Sequence, residues 1–408
     1  MLLKDKNILV AVTASIAIYK SLELIRLYIK AGANVKVIMT DSSKKFIAPI
    51  TFEAISQNKV LDEETESWDK DSDYNHIDIG KWADVFVIAP ASANTINKFA
   101  NGIADNLLTQ TVLAYPNIKL IAPAANTNML NNPITQESLN KLKVCNFKIV
   151  SSQVKELACK DVGDGAMAEP EEIFYTTARQ LLKDDYWNSR KVVLSGGGTI
   201  EKIDDVRYVS NFSSGKMASS MALSLYLKGA DVCLVSTRGY ESLPKEINVI
   251  PVQSSAQMYE NLVASIQIAK KDSKRKPFLF MIAAISDYLP TTPQDGKLKK
   301  DMLGSFWKLD LKQNIDILSS LDKDNLISIG FKAEMDETMA LSNAQNMLEK
   351  KKLDGVCLNI LDDKNSFGSD SNEIELILKE NSYKFNGEKI KISCDILDTL
   401  KGEFKEYE

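Results

Sequence analysis

The 408-residue sequence has one histidine, His76, and five cysteines, none of which form a Cys-x-x-Cys pair. Histidine and closely spaced cysteine are the usual zinc ligands, so the sequence argues against a structural zinc site and against a disulfide scaffold. The lone histidine, in the segment YNHIDIGKWAD, therefore has either a buried structural role or a role in chemistry. Its neighbours along the chain do not decide between the two.

Long apolar runs and a strong net charge are also missing. No stretch approaches the roughly 20 apolar residues of a membrane-spanning helix. The short run ILVAV near the start continues without a break into an amphipathic helix, which favours a first strand over a secretory signal. The net charge of −5 argues against a general binder of nucleic acid or anionic membrane. We therefore expect a cytoplasmic protein with no nucleic-acid or membrane partner.

Short apolar segments alternate with helical patterns along the whole chain. Because these segments are apolar on both faces and helix-length stretches separate them, they predict parallel sheets covered by helices, which is an α/β fold. The predicted strands are Ile8–Val12, Val35–Thr40, Val85–Pro90, Lys119–Ala124, Lys191–Ser195, Val232–Val235, Phe278–Ala284, Leu326–Phe331 and Gly355–Asn359.

Two similar segments suggest two domains. LYIKAGANVKVIMT (27–40) and LYLKGADVCLVST (225–237) both indicate a helix end, a glycine cap and a strand, as in nucleotide-binding domains. Any helix-to-strand joint of an α/β protein could look the same. The segment DDYWNSR (184–190) separates a predicted helix from the strand KVVLS, so we expect domains at 1–188 and 189–408.

Three loops in the first half follow predicted strands and are rich in small and hydroxyl-bearing residues. They are TASIA (13–17), TDSS (40–43) and APASANT (89–95). At the carboxyl edge of a parallel sheet, such loops present N–H groups and hydroxyls to an anion such as a mononucleotide phosphate. For any one loop, helix capping by serine and threonine is the alternative.

Two further segments carry groups suited to chemistry. PAANTNM (123–129) places the neutral amide of Asn126 after a strand, where it could hold a carboxylate. LACKDVGDGAM (157–167) places Cys159 in a polar, glycine-rich loop, where a thiol could donate a proton. An incidental cysteine is the alternative.

In order, TASIAIYK, NHIDIGKWAD, APASANTINKFANGIADNLLT, PAANTNM and ACKDVGDG resemble the flavin-dependent cysteine decarboxylases, in particular 4'-phosphopantothenoylcysteine decarboxylase. The resemblance covers nearly all of residues 5–180 and implies a flavodoxin-like, usually trimeric domain with FMN and substrate between protomers. It implies that His76 acts in the oxidative step as base or orienting group, Asn126 holds the departing carboxylate, and Cys159 delivers a proton. The implied FMN contacts are Ala14, Ser15, Ile16, Thr40, Ser43, Ser92, Asn94, Thr95 and Ala124.

The chemistry implied by that resemblance explains these residue types. The flavin supplies an electron sink by oxidising the thiol side of the acylated cysteine to a thioaldehyde, which lets carbon dioxide leave. The family carries glycine and arginine where this chain has Lys160 and Ala166, in a loop that closes over substrate. An impaired decarboxylase is therefore one alternative, and a flavin-binding regulatory subunit is another.

The second half contains a glycine turn, SGGGT (195–199), and a segment, SNFSSGKM (210–217), that opens a helix. Both are typical of phosphate binding. A dinucleotide site is the natural rival, but the glycine spacing is not that of the dinucleotide fingerprint and no ribose-binding acid is in place. Asp287 at the end of AAISDY and the lysines of KLKK (297–300) are further candidate contacts.

With VRYVSNFSSGK, AAISDY, KLKK, GFKAE and residues 359–372 in order, this half resembles 4'-phosphopantothenate–cysteine ligase. The two halves together resemble the bacterial bifunctional coenzyme A biosynthesis proteins. The resemblance implies a Rossmann-like α/β domain that uses CTP and Mg2+ to form an acyl-cytidylate, with Lys297 acting in its formation and Asn211 in its conversion to product. The implied substrate contacts are Arg207, Ser213, Ser214, Ala283, Ala284, Asp287, Asn314, Ile315, Asp316, Ile317, Phe331 and Lys351.

Other implications of the resemblance concern affinity and assembly. Met347 stands where the family has a lysine, so we expect CTP to remain the preferred nucleotide with lower affinity. Trimeric first domains joined to dimeric second domains would build a homo-oligomer, for example a dodecamer. The sequence does not assign any metal ligands.

Overall fold

The computed structural model describes residues 1–69, 74–156, 162–240, 242–272, 274–299, 303–361 and 368–405. Contacts between residues divide the chain into two compact units, Met1–Leu182 (unit 1) and Lys183–Glu408 (unit 2). In the described part of the chain, no helix is long and apolar enough to cross a membrane.

Unit 1 is built on a five-stranded parallel sheet. Its strands are β1 (Asn7–Val12), β2 (Asn34–Met39), β3 (Val85–Ala91), β4 (Lys119–Pro123) and β5 (Phe147–Ile149). Their order across the sheet is β2-β1-β3-β4-β5, which is the flavodoxin order. The flavodoxin-like fold expected for the first half is therefore confirmed.

Helices and one hairpin complete unit 1. The antiparallel hairpin consists of β6 (Gln153–Glu156) and β7 (Val162–Ala166). The helices are α1 (Tyr19–Lys30), α2 (Pro49–Ser56), α3 (Asp78–Trp82), α4 (Ala93–Ala100), α5 (Leu107–Ala114), α6 (Thr127–Leu130), α7 (Pro133–Val144) and α8 (Pro170–Leu182), with 3-10 turns at Ile16–Ile18 and Ser43–Lys45.

Unit 2 is built on an eight-stranded sheet with the order β12-β11-β8-β13-β16-β17-β18-β19. The first six strands of this order are parallel and repeat the Rossmann order 3-2-1-4-5-6. Its strands are β8 (Lys191–Gly196), β11 (Asp231–Ser236), β12 (Asn248–Pro251), β13 (Phe278–Met281), β16 (Ile327–Glu334), β17 (Gly355–Ile360), β18 (Ser371–Leu378) and β19 (Ser382–Glu388).

The last two strands add an antiparallel hairpin to the parallel strands of this sheet. β18 pairs antiparallel with β17, and β19 pairs antiparallel with β18. Residues 379–381 alone connect β18 to β19, and so short a connection can form a hairpin but cannot cross over to a parallel strand. Each of the nine predicted strands overlaps a strand of one of the two main sheets.

The remaining elements in the described part of unit 2 are small sheets and helices. The small sheets pair β9 (Ile200–Lys202) with β10 (Tyr208–Ser210) and β14 (Tyr288–Pro290) with β15 (Leu311–Gln313). The helices are α9 (Lys216–Leu227), α10 (Ser255–Asp272), α11 (Ile317–Ser320), α12 (Glu337–Lys350) and α13 (Lys389–Glu403).

The segment DDYWNSR packs within unit 2. Trp187 is fully buried, and its ring centroid lies 4.8 Å from that of Phe278 on β13. The guanidinium of Arg190 lies 4.0 Å from the ring centroid of Tyr186 and donates a hydrogen bond of 2.9 Å to the carbonyl of Lys276. Trp187 therefore contributes apolar surface to the core of unit 2.

Candidate active sites

The loops after β1 and β3 meet at the carboxyl edge of the unit 1 sheet. β1 and β3 are neighbours, but their connections lead to opposite sides of the sheet, which opens a crevice between the two loops. Buried Thr13 joins the loops, since its Oγ1 donates to the carbonyl of Pro90 at 2.8 Å and accepts from the Ser92 N–H at 2.9 Å.

A cavity of about 1140 Å³ lies at this edge, which is ample for a mononucleotide. Asn126 lies on its wall together with most of the predicted FMN contacts. Those lining contacts are Ala14, Ser15, Ile16, Thr40, Ser92, Asn94, Thr95 and Ala124. Ser43 does not line the cavity, because it is buried and its hydroxyl donates to the carbonyl of Thr40 at 2.6 Å.

Two serines of this cavity also cap helical turns. Ser92 Oγ accepts from the Thr95 N–H at 3.3 Å at the start of α4. Ser15 Oγ accepts from the Ala17 N–H at 3.2 Å at the start of the first 3-10 turn. Capping and lining the cavity are therefore compatible, because each hydroxyl that caps a helix also lies at the cavity wall.

Asn126 lies beneath the β6–β7 hairpin. It is the N-cap of α6, where its Oδ1 accepts from the Asn128 N–H at 2.9 Å. The preceding Ala125 N–H donates to the carbonyl of Gly165 on β7 at 3.1 Å. A Cβ at Gly165 would overlap the carbonyl oxygen of Ala125, so glycine is needed for this close approach.

His76 is held by a carboxylate. Its Nδ1 lies 2.8 Å from Glu66 Oε1, and its ring packs edge-on against Trp68 with centroids 5.2 Å apart. A carboxylate at Nδ1 favours the tautomer that leaves Nε2 as the proton acceptor. His76 is not among the described residues that line the cavity with Asn126. Cys159 lies outside the described residues.

Sequence reasoning missed a charged cluster on the same cavity wall. Lys20 on α1 pairs with Glu169 at 3.0 Å, and Lys155 on β6 pairs with the other oxygen of Glu169. Burial alone would raise the pKa of Glu169, but the hydrogen bonds from Lys155 and Lys20 hold that pKa below its ordinary value. Three separate segments supply these residues, so only the position of Lys20 inside TASIAIYK could have indicated them.

In unit 2 the corresponding crevice lies between β8 and β13, where the strand order reverses. Ser195 Oγ accepts from the N–H groups of Ile282 and Ala283, each at 3.0 Å. The Ala284 N–H donates to the carbonyl of Gly197 at 2.9 Å. These bonds hold the glycine turn after β8 against the segment that follows β13.

A cavity of about 170 Å³ lies beside this turn. The predicted contacts on its wall are Ser213, Ser214, Ala283, Ala284 and Phe331. Ser213 and Ser214 precede Gly215, which has a φ of 74° and is the N-cap residue of α9. The N-terminus of this helix therefore faces the same cavity. Three lysines that the sequence did not single out also line it: Lys216, Lys332 and Lys389.

Asn211 lies at the end of the β9–β10 hairpin. Its Nδ2 donates to the carbonyl of Ile285 at 2.9 Å, which ties it to the AAISDY segment. Its own carbonyl oxygen would lie 2.7 Å from a Cβ at Gly198, so the glycine turn makes room for the asparagine backbone.

Lys297 is positioned by two aspartates. Asp204 Oδ2 accepts from the Leu298 N–H at 3.1 Å and pairs with Arg207 at 3.1 Å, while Asp205 Oδ2 accepts from the Gly296 N–H at 2.7 Å. The residues on both sides of Lys297 are therefore anchored, and Lys297 itself is exposed.

Several predicted nucleotide contacts do not line the small cavity. They are Asp287, Asn314, Ile315, Asp316, Ile317 and Lys351. The Asn314 N–H donates to the carbonyl of Asp287 at 2.7 Å. Asp316 pairs with Lys351 at 2.8 Å; burial alone would raise the pKa of Asp316, but Lys351 and Ser319 hold it below its ordinary value. Ile317 is buried in the core, so its side chain cannot face a ligand.

No group of three or more potential metal ligands occurs among the described residues of either unit.

Comparisons with known proteins agree with this division. A family model described as Flavoprotein matches residues 2–182, and one described as DNA/pantothenate metabolism flavoprotein C-terminal domain matches residues 187–403. The coenzyme A biosynthesis bifunctional protein CoaBC of Borreliella burgdorferi is 33% identical and covers 97% of this chain and 99% of that protein. The corresponding Bacillus subtilis protein is 36% identical and covers 93% of this chain and 92% of that protein.

The chain belongs to the CoaBC family of bifunctional proteins. Two solved structures are similar to one half each. A PPC decarboxylase mutant complexed with pantothenoylaminoethenethiol is 37% identical, with a TM-score of 0.40 over 43% of this chain and 97% of that chain. The C-terminal domain of a CoaBC protein is 25% identical, with a TM-score of 0.43 over 54% of this chain and 98% of that chain.

Two positions at which this CoaBC sequence departs from the expected pattern have distinct surroundings. Ala166 lines the large cavity of unit 1. Met347 packs against the apolar core of unit 2 and closely approaches Gly330. The first departure lies on a cavity wall, whereas the second places a partly buried thioether against the core.

Proposed function

We propose that this chain catalyses two steps of coenzyme A biosynthesis. Unit 2 joins cysteine to 4'-phosphopantothenate at the expense of CTP, and unit 1 decarboxylates the product to 4'-phosphopantetheine. The observation that supports this proposal best is the pair of cavities, one at the strand-order reversal of each sheet, in a chain similar over 97% of its length to a bifunctional relative.

FMN fits the unit 1 cavity. The N-terminus of α4 and the hydroxyls of Ser15 and Ser92 offer donors for a phosphate, and the volume of about 1140 Å³ leaves room for an isoalloxazine ring and a substrate. FMN, when bound, supplies the electron sink that an acylated cysteine lacks.

The side chains of unit 1 then divide the remaining work. The amide of Asn126 binds the departing carboxylate without adding charge, and Nε2 of His76 accepts a proton. Cys159 donates a proton to the product. Because His76 does not line the cavity within one chain, we infer that a second copy brings its His76 to this site, as expected for a trimer.

In unit 2, a carboxylate resists attack by an amine until its oxygen becomes part of a good leaving group. Lys297 stabilises the charge that develops at the transferring phosphoryl group, and Asn211 positions the activated acid for cysteine. Mg2+ would arrive with the nucleotide phosphates, which supply oxygen ligands that the described residues do not cluster. Asp287, Phe331 and Lys351 are the proposed nucleotide contacts.

The test is to incubate the purified protein with 4'-phosphopantothenate, cysteine, CTP and Mg2+ and to follow pyrophosphate and carbon dioxide independently. Release of both products is the expected result. A preparation that cannot be reconstituted with FMN would refute the flavin assignment, and equal activity with ATP or UTP would refute the preference for CTP.

The same assay separates the two alternatives. Pyrophosphate without carbon dioxide would indicate an active ligase joined to an impaired decarboxylase, for which Ala166 on the cavity wall is the specific reason. Neither product would indicate a flavin-binding regulatory subunit. A cytoplasmic homo-oligomer, with trimeric unit 1 and dimeric unit 2, is the proposed assembly, and light scattering of the purified protein measures its mass.

A further inference from the structure

A turn of acidic residues lies beside the loop that follows β2. Leu61, just before this turn, forms a parallel bridge with Ile38 of β2, and its N–H donates to the carbonyl of Val37 at 2.9 Å. Parallel segments end at the same edge of a sheet. Residues 62–66 (DEETE, the acidic turn) therefore lie at the edge where residues 40–42 line the large cavity.

Lys44 joins the acidic turn to the loop after β2. Its Nζ lies 2.9 Å from Asp62 Oδ2 and 3.0 Å from Asp41 Oδ1. Asp62 is only 3% exposed, and its other oxygen accepts from the N–H groups of Glu64 and Thr65 at 3.0 and 2.9 Å. One buried carboxylate therefore fixes the conformation of the acidic turn and also attaches that turn to the loop, because a buried charge needs its partners.

The far end of the acidic turn holds His76. The Glu66 N–H donates to the carbonyl of Asp62 at 3.0 Å. Glu66 Oε1 accepts from the backbone N–H of His76 at 3.2 Å and lies 2.8 Å from Nδ1 of the same residue. Between the two ends, Glu63 Oε1 accepts from the Leu107 N–H at 3.1 Å, which anchors the turn to the start of α5. A turn anchored at three points holds the imidazole at a fixed distance from the loop after β2.

We propose that the acidic turn is a positioning element through which Lys44 fixes the orientation of His76. The proposal rests on the decarboxylase role proposed above for His76. Lys44 and Glu66 are positioning residues, because Lys44 acts through Asp62 and Glu66 acts through the imidazole. Since the proposed function brings His76 to the cavity of a second copy, the turn would join the FMN loop of one copy to the oxidative step in its neighbour.

The single histidine makes this proposal testable without catalysis. In protein labelled with 15N-histidine and purified without a histidine tag, the ring nitrogens of His76 give all of the imidazole signals. Protonated and bare nitrogens differ in chemical shift, so solid-state NMR at a pH well above the ordinary imidazole pKa of about 6.5 reports the tautomer. For the wild-type protein we expect a protonated Nδ1 and a bare Nε2.

Lys44→Met is the decisive variant. Loss of its ammonium should release the acidic turn, so that a second tautomer with a bare Nδ1 appears in the NMR spectrum. Glu66→Ala removes the acceptor directly and gives the reference spectrum of the released ring. The double variant should match Glu66→Ala alone, because both residues act along one path. Lys45→Met is the matched control, since Lys45 is the next residue and its side chain is exposed. It should leave the spectrum unchanged.

Kinetics give a second readout. With FMN saturating, Lys44→Met and Glu66→Ala should each lower kcat for release of carbon dioxide by about tenfold or more, because displacements of about 1 Å cost that much. KM for 4'-phosphopantothenoylcysteine and the rate of pyrophosphate release should change little. Binding of FMN to the apoprotein, measured by quenching of flavin fluorescence, separates this effect from a loss of cofactor.

Two results would overturn the proposal. A wild-type spectrum for Lys44→Met beside an altered one for Glu66→Ala would show that the acidic turn does not connect Lys44 to His76. Unchanged spectra for both variants would show that Glu66 does not set the tautomer. A wild-type protein that releases no carbon dioxide would instead refute the decarboxylase function, while the spectra would still decide whether the turn orients His76.

A second variant covers the case in which Lys44→Met unfolds unit 1, which hydrogen exchange of β1 peptides detects. Asp62→Asn keeps a side-chain oxygen for the N–H groups of Glu64 and Thr65 but loses the charge that binds Lys44. It should also give the second tautomer of His76. A wild-type spectrum for Asp62→Asn would contradict the proposal in the same way.

Discussion

His76 is oriented by one short contact to Glu66, and that contact depends on two residues ten positions apart in the chain. The carboxylate at Nδ1 leaves Nε2 as the nitrogen that can accept a proton. Trp68 packs edge-on against the ring, and the side chain remains 18% exposed.

His76→Asn should abolish release of carbon dioxide and leave CTP-dependent release of pyrophosphate intact, because the asparagine amide cannot accept a proton near neutral pH. Both products are measured in the same assay. Loss of both activities would show that His76 is needed for the fold.

The buried carboxylate of Asp62 forms an ion pair with Lys44 at 2.9 Å. Burial alone would raise the pKa of Asp62, but the hydrogen bonds from Lys44 and Thr65 hold it below the ordinary value. Its stabilising effect is therefore present above the unfolded-state pKa of about 3.9 and is lost as pH falls through the lower folded-state pKa.

Asp62→Asn should accordingly lower the unfolding free energy of unit 1 by about 1–3 kcal/mol at pH 7. The difference from wild type should shrink as pH falls below about 4 and should vanish below the lowered folded-state pKa, where the carboxyl is protonated in both states. Hydrogen exchange of β1 peptides in increasing urea measures this quantity for unit 1 alone. A difference that does not change with pH would contradict the role assigned to the charge.

At the scale of elements, the β6–β7 hairpin depends on its glycines. The backbone of β7 lies on the loop that carries Asn126, and the Ala125–Gly165 hydrogen bond joins them. A side chain at position 165 would collide with Ala125, and a side chain at position 163 would collide with Thr127. The Thr127 hydroxyl can rotate away, so that a small shift of its Cβ, 2.9 Å from the added carbon, remains, whereas the Ala125 carbonyl belongs to the backbone and cannot rotate away.

Gly165→Ala should therefore lift the hairpin from the Asn126 loop and reduce decarboxylation by at least tenfold, because displacements of about 1 Å cost that much or more. Flavin content and pyrophosphate release should not change. Gly163→Ala should have a smaller effect. The control is Gly80→Ala on α3, where a Cβ would make only ordinary contact at 3.8 Å with Tyr115. Equal effects of all three substitutions would contradict this account.

For the whole molecule, the division between the units lies before Trp187. This side chain fills part of the unit 2 core beside Phe278, although its segment reads as a polar linker. Trp187→Ala should lower the unfolding free energy of unit 2 by about 3–5 kcal/mol. Hydrogen exchange of β8 and β13 peptides should show the loss, while β1 and β3 peptides of unit 1 should not change.

The half-exposed Trp307 provides the comparison for that experiment. Trp307→Ala removes the same side chain from the same unit but leaves no internal cavity, so its effect should stay within about 1 kcal/mol. Similar losses for both tryptophans would contradict a core position for Trp187.

Local patterns in the sequence determined much of this protein. Strand segments such as VFVIAPA are buried on both faces and could therefore be recognised without knowledge of their neighbours. Ser15 and Ser92 follow strands and open helical turns, so their position at a sheet edge followed from the order of elements along the chain. The same local reasoning predicted that Ser213 and Ser214 lie before a helix.

Only the tertiary structure decided which distant groups meet. Lys389 reaches the small cavity because β18 and β19 form an antiparallel hairpin that returns the chain to the sheet edge, and no local pattern marks it. Likewise Glu66 contacts His76, and Gly165 contacts Ala125. In neither case does the local pattern of one segment predict which other segment it will contact. Strand periodicity is a property of neighbouring residues, whereas these pairings depend on how helices and strands pack, which the sequence encodes only through the whole fold.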